Sequence, residues 1–326
     1  MRGSFFGGHL RGEPTREDYH RASADGRVHS PPATPMVVAL VKTCRPHQWI
    51  KNLFVAAPLV FSRRIDDPEA ALRAMIAVAC FCLLSSAVYL LNDVLDIERD
   101  RAHPLKRLRP VASGALPVPI ARSAAAIFAV TGLLVAALIA PLLAVVAASY
   151  LLLNIAYSLH LKRIPFVDVA CISLGFLLRV LGGAFAIAVE PSGWLLACTL
   201  LLAALLGFGK RAHELRVSGD KRATQRIVLD RYPPGVLRVL LISLSILTTI
   251  TYAAYTQSPH ALEFFGTRRL ALTIPFAAFG IGRFLWMTSR KLDDESPTDS
   301  MLRDKLFLLN LFAYTVAIVL IIYRGG

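Results

Sequence analysis

Three aspartates stand close together at the end of a long apolar stretch. Asp93, Asp96 and Asp100, with Asn92 beside them, follow the apolar residues 74–91. At about 100° per residue, a helix brings the three carboxylates within roughly 60° of one another. They repel one another unless a cation neutralises them, and Mg²⁺ is commonly held by one or two carboxylates plus substrate phosphates. The pattern predicts a site for Mg²⁺, or for Mn²⁺, with a diphosphate; the alternative is a solvated acidic helix end.

Basic and amide side chains flank these acids in the sequence. The loop that follows them carries three cations suited to phosphate groups, Lys106, Arg107 and Arg109. An earlier run, residues 45–52, stacks Gln48, Lys51 and Asn52 on nearly one face if it is helical, where they can hold phosphate or sugar hydroxyls. The alternative for this run is an interfacial belt, with Trp49 at headgroup depth and Lys51 extended toward water.

A third group of candidates surrounds a tight turn between two apolar segments. It comprises Tyr157, Lys162, Asp168 and Arg179. Arg179 stands in the middle of an apolar segment, where an unpaired guanidinium is costly, so a phosphate or carboxylate partner is expected. A structural ion pair with an acid on another helix is the alternative.

The last group of candidates follows a glycine-containing segment. Lys210 and Arg211 supply positive charge next to Gly207 and Gly209, and Glu214 lies about one turn further on. Basic residues at the cytoplasmic end of a membrane helix are ordinary, so this group alone is a weak signal. With the other groups it completes a ring of acids and bases, and we expect it to bind substrate.

The composition is typical of an integral membrane protein. Of 326 residues, 55% are hydrophobic, and the mean hydropathy is +0.55, above that of a soluble domain. The net charge of +14 could suggest nucleic acid as a partner, but in a polytopic protein basic residues concentrate in cytoplasmic loops and bind anionic lipid or phosphate. We therefore expect no nucleic acid. The five cysteines lie mostly in apolar segments and predict no disulfide framework.

Nine apolar segments are long enough to cross the roughly 30 Å of membrane hydrocarbon. They predict an all-α polytopic fold with helices near residues 37–62, 69–95, 118–138, 141–161, 165–188, 193–210, 235–256, 269–289 and 303–323. The first is the least regular, because charged residues and Pro46 interrupt its N-terminal half. The helices form one domain, residues 36–326, after a disordered cytoplasmic tail, residues 1–35.

The distribution of basic residues predicts the orientation of the bundle. Lys and Arg concentrate in the tail and in alternate loops, which places the N-terminus and all the polar motifs on the cytoplasmic side of the cell (inner) membrane. The C-terminus then lies outside. Membrane lipids are expected partners, and a homo-oligomer is compatible with the sequence without being specified by it.

These motifs resemble the UbiA superfamily of intramembrane prenyltransferases. The run Asn-Asp-x-x-Asp-x-x-x-Asp, here residues 92–100, matches the acidic motif that follows the second helix in that superfamily. The match extends through the basic loop to Pro110, and four further blocks match its phosphoribosyltransferase branch, at residues 45–52, 157–162, 176–179 and 209–215. The resemblance covers nearly the whole membrane portion. It implies a bundle of nine transmembrane helices with a polar cavity on the cytoplasmic side.

The resemblance also implies an activity. This is transfer of 5-phosphoribose from 5-phosphoribosyl-1-diphosphate to a polyprenyl phosphate of the decaprenyl type, releasing diphosphate and feeding cell-envelope glycan synthesis. Asn92 and the three aspartates would be catalytic, with Asp93, Asp96 and Asp100 holding Mg²⁺ against the leaving diphosphate. The loop cations at 106–109 would hold the donor phosphates. Candidates for the lipid phosphate and the ribose 5-phosphate are Lys51, Lys162, Arg179 and Lys210.

Two alternatives to this activity stay open. A UbiA-type prenyltransferase moves a polyprenyl group from its diphosphate to an aromatic or other small acceptor, and usually carries a second Asp-rich motif after helix 4. Here that region offers Lys162, Arg163 and a single Asp168, which favours phosphoribosyl transfer. A transporter of phosphorylated lipids would bind the same charges without chemistry. Transporters usually show broken helices or paired halves, and the only break expected here is at Pro46.

Overall fold

The chain enters the bundle through a broken segment. The computed structural model describes residues 35–218, 232–289, 300–301 and 303–324, so the predicted tail lies almost wholly outside the described residues. Two short helices, α1 (Met36–Cys44) and α2 (Ala57–Phe61), flank a 3₁₀ helix over Pro46–Ala56. Arg45, at the first junction, has the left-handed angles φ 53° and ψ 62°. The prediction of one helix over residues 37–62 is therefore wrong, because Pro46 has no N–H to donate and disfavours helical geometry at the residue before it.

Eight helices in the described residues are long and apolar enough to cross a membrane. In chain order they are α3 (Pro68–Leu95), α4 (Val118–Ile139), α5 (Pro141–Leu159), α6 (Val167–Ala186), α7 (Gly193–Ser218), α8 (Pro234–Gln257), α9 (Ile274–Ser289) and α10 (Lys305–Arg324). The 3₁₀ turn Arg269–Thr273 leads directly into α9, and the two together make the membrane span Arg269–Ser289. The eight spans match the second to ninth predicted segments to within a few residues, except that α7 runs beyond the predicted end. Short helical turns connect several of them, at Ile97–Arg101, Lys106–Leu108, Leu161–Arg163, Pro259–Phe265 and Arg269–Thr273.

The outer faces of the long helices are apolar. Leu138 on α4 is 86% exposed, and Val239 on α8 and Phe312 on α10 are also open. In water this exposure would be unfavourable, whereas facing lipid it is favourable, because polar side chains are costly in hydrocarbon. The helices also satisfy their own backbone hydrogen bonds, as lipid requires. The chain is a multi-pass membrane protein.

Small residues let the inner helices approach closely. On α3, Ala70, Ala74 and Ala77 are buried at helical spacing, in the same cluster as Phe81. On α6, a Cβ at Gly183 would lie 1.8 Å from the carbonyl oxygen of Val55 in the 3₁₀ segment. Only glycine fits there. This contact fixes the first segment against α6 and hence positions the side chains that both contribute to the site.

Candidate active site

The acidic motif lies where α3 ends and the chain turns. Asp93 belongs to the last turn of α3, Asp96 is the residue after the helix, and Asp100 belongs to the short helix Ile97–Arg101. Asp93 and Asp100 are each 3% exposed, whereas the side chain of Asp96 is 32% exposed. The predicted set of three carboxylates is thus divided into an inner pair and an outer member.

The two inner aspartates share arginine partners. Nη2 of Arg45 lies 2.5 Å from Oδ1 of Asp93. Nη1 of Arg109 lies 2.7 Å from Asp100 and 3.5 Å from the same Asp93 oxygen. The guanidinium of Arg45 also lies over the ring of Tyr89, 4.9 Å from its centroid. Two guanidinium groups therefore converge on one carboxylate oxygen.

The outer aspartate faces a different element of the bundle. Lys162, in the turn between α5 and α6, donates to both carboxylate oxygens of Asp96 at 2.9 and 3.1 Å. The predicted acids and the predicted turn cation are thus brought together. The side chain of Lys162 is 17% exposed, so the pair is accessible from the end of the bundle.

The donor set fits a divalent cation that is shared with phosphate. Within the described ranges, no three His, Cys, Asp or Glu side chains converge as a metal cluster. However, Asp93 and Asp100 both face one point, the position that Nη1 of Arg109 occupies. Two carboxylates with substrate phosphates are a usual Mg²⁺ environment. The residues that would hold Mg²⁺ are Asp93 and Asp100, with Asp96 beside them.

Arg179 belongs to a buried network of neutral groups. Its guanidinium donates to Oδ1 of Asn52 at 2.8 Å, to the carbonyl of Gly175 at 3.0 Å and to the hydroxyl of Tyr150 at 2.8 Å. Asn52 is fully buried and donates in turn to Ser85 at 3.3 Å. The network joins the 3₁₀ segment to α3, α5 and α6, and the carboxylate partner expected from the sequence is not among these contacts.

Asp168, Arg211 and Glu214 form a second buried network. Nε of Arg211 lies 2.6 Å from Asp168, and its Nη1 lies 2.5 Å from Glu214. Tyr232, just before α8, donates its hydroxyl to Asp168. Burial and this hydrogen bond raise the pKa of the Tyr232 phenol. Asp168 and Arg211 are 0% and 1% exposed, so this network reinforces the turn that carries Lys162.

The remaining predicted residues belong to the same segments. Gln48, Lys51, Asn92, Lys106, Tyr157 and Lys210 are half-buried, and Arg107 is exposed. In the loop after the acids, Nδ1 of His103 accepts from the backbone N–H groups of Leu105 and Lys106 at 3.2 and 3.4 Å. Burial, and secondarily the charge of Lys106, lower the pKa of His103. The imidazole thereby orders the start of the basic run.

Sequence reasoning missed three residues that contact the predicted set. Arg45 lies inside the matched block 45–52, and its place before Pro46 was a usable signal. Tyr150 and Tyr232 had no local signal, because each meets its partner only through the packing of separate helices.

The structure is a helical membrane bundle with acids and bases paired at one end. The chain belongs to the UbiA prenyltransferase family, whose model matches residues 53–312. It is a UbiA-family membrane transferase.

Named relatives and solved structures agree with this assignment. The chain is 32% identical over 315 residues to a decaprenyl-phosphate phosphoribosyltransferase of Corynebacterium glutamicum, covering 95% of this chain and 94% of the relative. It is 36% identical over 225 residues to the protein of that name from Mycolicibacterium smegmatis, covering 68% and 71%. The fold matches a UbiA homolog from Archaeoglobus fulgidus, solved with DMAPP and Mg²⁺, with a TM-score of 0.66, 17% identity, and 87% and 99% coverage.

Proposed function

We propose that this protein transfers 5-phosphoribose from 5-phosphoribosyl-1-diphosphate to a polyprenyl phosphate, releasing diphosphate. The observation that carries the proposal is the match, along nearly the whole chain, to a relative whose name specifies this acceptor and this group. The prenylphosphoryl-phosphoribose formed would supply cell-envelope glycan synthesis.

The balance of charge at the site supports substrates with several phosphates. Each acid of the motif is paired with a cation, and the three cations are Arg45, Arg109 and Lys162. The donor carries a diphosphate and a 5-phosphate, and the acceptor carries a further phosphate. Such groups need cations in addition to a metal, and arginine binds phosphate oxygens through two parallel hydrogen bonds.

The chemistry requires positioning more than proton transfer. The bond between the anomeric carbon and the diphosphate oxygen breaks, and a lipid phosphate oxygen forms the new bond to that carbon. The attacking phosphate is already an anion, so no general base is needed. Mg²⁺, when bound, would supply charge neutralisation for the diphosphate. Arg109 and Lys106 would orient the donor, while Lys162 would hold a phosphate beside Asp96.

An apolar cavity offers space for the lipid chain. It has a volume of about 440 Å³ and lies between the first segment and α7 to α10. Its walls include Phe54, Leu205, Tyr252, Phe284 and Tyr314. An isoprenoid chain is bound by apolar and aromatic surface of this kind.

The proposal includes a topology. The N-terminus and the site would face the cytoplasm, where a soluble phosphorylated sugar donor is available, and the first segment would complete nine membrane passages. Residues 1–35 would remain a cytoplasmic tail.

Prenyl transfer is the second candidate, because the fold match includes a structure solved with a prenyl diphosphate and Mg²⁺. The two functions are distinguished by the donor. Purified protein would be incubated with Mg²⁺, polyprenyl phosphate and 5-phosphoribosyl-1-diphosphate, and the lipid product followed by mass spectrometry. Product that requires Mg²⁺ and is lost in Asp96→Asn is expected. Absence of this product, with turnover of a polyprenyl diphosphate and an aromatic acceptor, would overturn the proposal.

A further inference from the structure

The arginines near the site fall into two classes by exposure. The side chains of Arg45 and Arg109 are 27% and 33% exposed, and both contact the acids of the motif. Arg179 and Arg211 are 6% and 1% exposed and contact only the buried networks. Of these four arginines, Arg45 and Arg109 can therefore leave their carboxylate partners, because their guanidinium groups are partly exposed and would not be left buried and unpaired.

Both accessible arginines occupy positions at which a bound cation would compete with them. Nη1 of Arg109 lies between Asp93 and Asp100, and Nη2 of Arg45 lies on the Asp93 oxygen that Arg109 also faces. A divalent cation held by these two carboxylates would meet both guanidinium groups at close range. Like charges at such separations repel strongly where the environment is partly desolvated.

We propose that Arg45 and Arg109 are exchangeable counter-ions. Without metal they neutralise Asp93 and Asp100; when a divalent cation and a diphosphate bind, they leave the carboxylates and donate to phosphate oxygens. This rests on the proposed function only in that the substrate carries a diphosphate. Arg45 thereby becomes a substrate-binding residue in addition to those predicted from the sequence.

The backbone at both arginines is suited to such an exchange. Arg45 stands at the left-handed junction between two helices, and Arg109 follows a short 3₁₀ turn in extended geometry. Neither residue is within a long helix, where the preceding turn disfavours one χ1 rotamer, so each side chain has more rotamers available. Arg45 retains the face of Tyr89 as a second contact in the metal-free arrangement.

The test compares metal binding and diphosphate binding in the same variants. Free Mn²⁺ is measured by EPR with purified protein in nanodiscs, first without and then with inorganic diphosphate. In Arg109→Ala and Arg45→Ala, Mn²⁺ alone should bind several-fold more tightly, because a competing cation has been removed. Diphosphate binding in the presence of Mn²⁺ should weaken about tenfold, the loss expected from one charge-assisted interaction.

Two further variants separate exchange from general effects of charge and folding. Arg101→Ala removes an equal charge from the short helix Ile97–Arg101. Arg101 pairs with Glu98 and donates to the carbonyl of Ala112, but contacts neither Asp93 nor Asp100, so both affinities should stay within about twofold. Arg109→Lys keeps the charge and should leave Mn²⁺ affinity near wild type while weakening diphosphate binding.

The opposite signs of the two effects are essential to the proposal. Unchanged or weaker Mn²⁺ binding in Arg109→Ala, or undiminished diphosphate binding in both alanine variants, would overturn the exchange. Inorganic diphosphate is common to both candidate reactions. Failure of the wild-type protein to use 5-phosphoribosyl-1-diphosphate would therefore count against the proposed function and leave the exchange standing.

Discussion

Lys162 donates hydrogen bonds to both carboxylate oxygens of Asp96, although 66 positions separate the two residues in the chain. The pair joins the end of α3 to the turn between α5 and α6. It is partly exposed, unlike the buried pair of Asp168 and Arg211. Lys162 therefore lies where a soluble phosphate can reach it, next to the most accessible acid of the motif.

Replacing Lys162 with alanine should lower kcat/KM of the proposed reaction by about tenfold to a hundredfold. The lost cation is the one that accompanies Asp96, while a partly exposed ion pair contributes at most about 1 kcal/mol to folding. Steady-state kinetics measures the loss of kcat/KM, and thermal unfolding checks that stability is little changed. Arg163→Ala is the matched control, since Arg163 is the adjacent exposed cation. Equal losses in the two variants would show that general charge, and not this position, matters.

Replacing Arg179 with methionine should destabilise the protein by roughly 2–5 kcal/mol. The change leaves Asn52, Gly175 and Tyr150 without their buried donor. The Arg179→Lys protein should lose less stability than Arg179→Met, because lysine restores the charge and part of the hydrogen bonding. Denaturant unfolding in detergent measures the difference.

Arg73→Met is the control for Arg179. Arg73 lies on α3 and makes an exposed pair with Glu69, so its loss should cost less than about 1 kcal/mol. A stable Arg179→Met protein with impaired turnover would assign Arg179 directly to substrate, as predicted from the sequence, and would contradict a mainly structural role.

The helices of the bundle were largely predictable, because the length and hydropathy of each segment are local properties of the sequence. Eight of the nine predicted spans are helical over a length that can cross a membrane, since a segment of about 20 apolar residues must be helical to cross hydrocarbon. The first segment departed from this rule. Pro46 signalled the irregularity, but the 3₁₀ path over Pro46–Ala56 depends on its packing against Gly183, which no local pattern encodes.

The site was predictable in its composition but not in its pairing. Acids and cations were recognisable from their types and from their cost near a membrane. Which cation meets which acid depends on the packing of separate helices, as for Arg45 and Asp93, 48 positions apart. The hydrogen bond from Tyr232 to Asp168 could not be predicted from the sequence, because nothing near Tyr232 in the chain indicates that packing places Asp168 beside it.

Introducing alanine at Gly183 should destabilise the protein by about 1–3 kcal/mol or more, by overpacking. The new Cβ would lie 1.8 Å from the carbonyl oxygen of Val55, so α6 and the 3₁₀ segment must separate. Gly193→Ala is the control, because a Cβ added at that position would meet no atom within 4 Å. Thermal unfolding of the pair checks this. A Gly183→Ala protein as stable as Gly193→Ala would contradict the close approach of the two segments.

Tyr232 should make stability sensitive to alkaline pH. Burial and the hydrogen bond donated to Asp168 raise its pKa in the folded protein above the ordinary value of about 10. A raised folded pKa means that the stabilisation is fully present below pH about 10 and is lost as pH rises toward the folded value, because the unfolded phenol ionises first.

The free energy of unfolding, measured between pH 8 and about 11, should therefore decline in wild type, and the decline should be smaller in Tyr232→Phe. That variant keeps the ring beside Phe166 and should be less stable at neutral pH, since Asp168 and the Phe166 N–H each lose a partner. Identical pH profiles for the two proteins would show that the phenol does not hold Asp168.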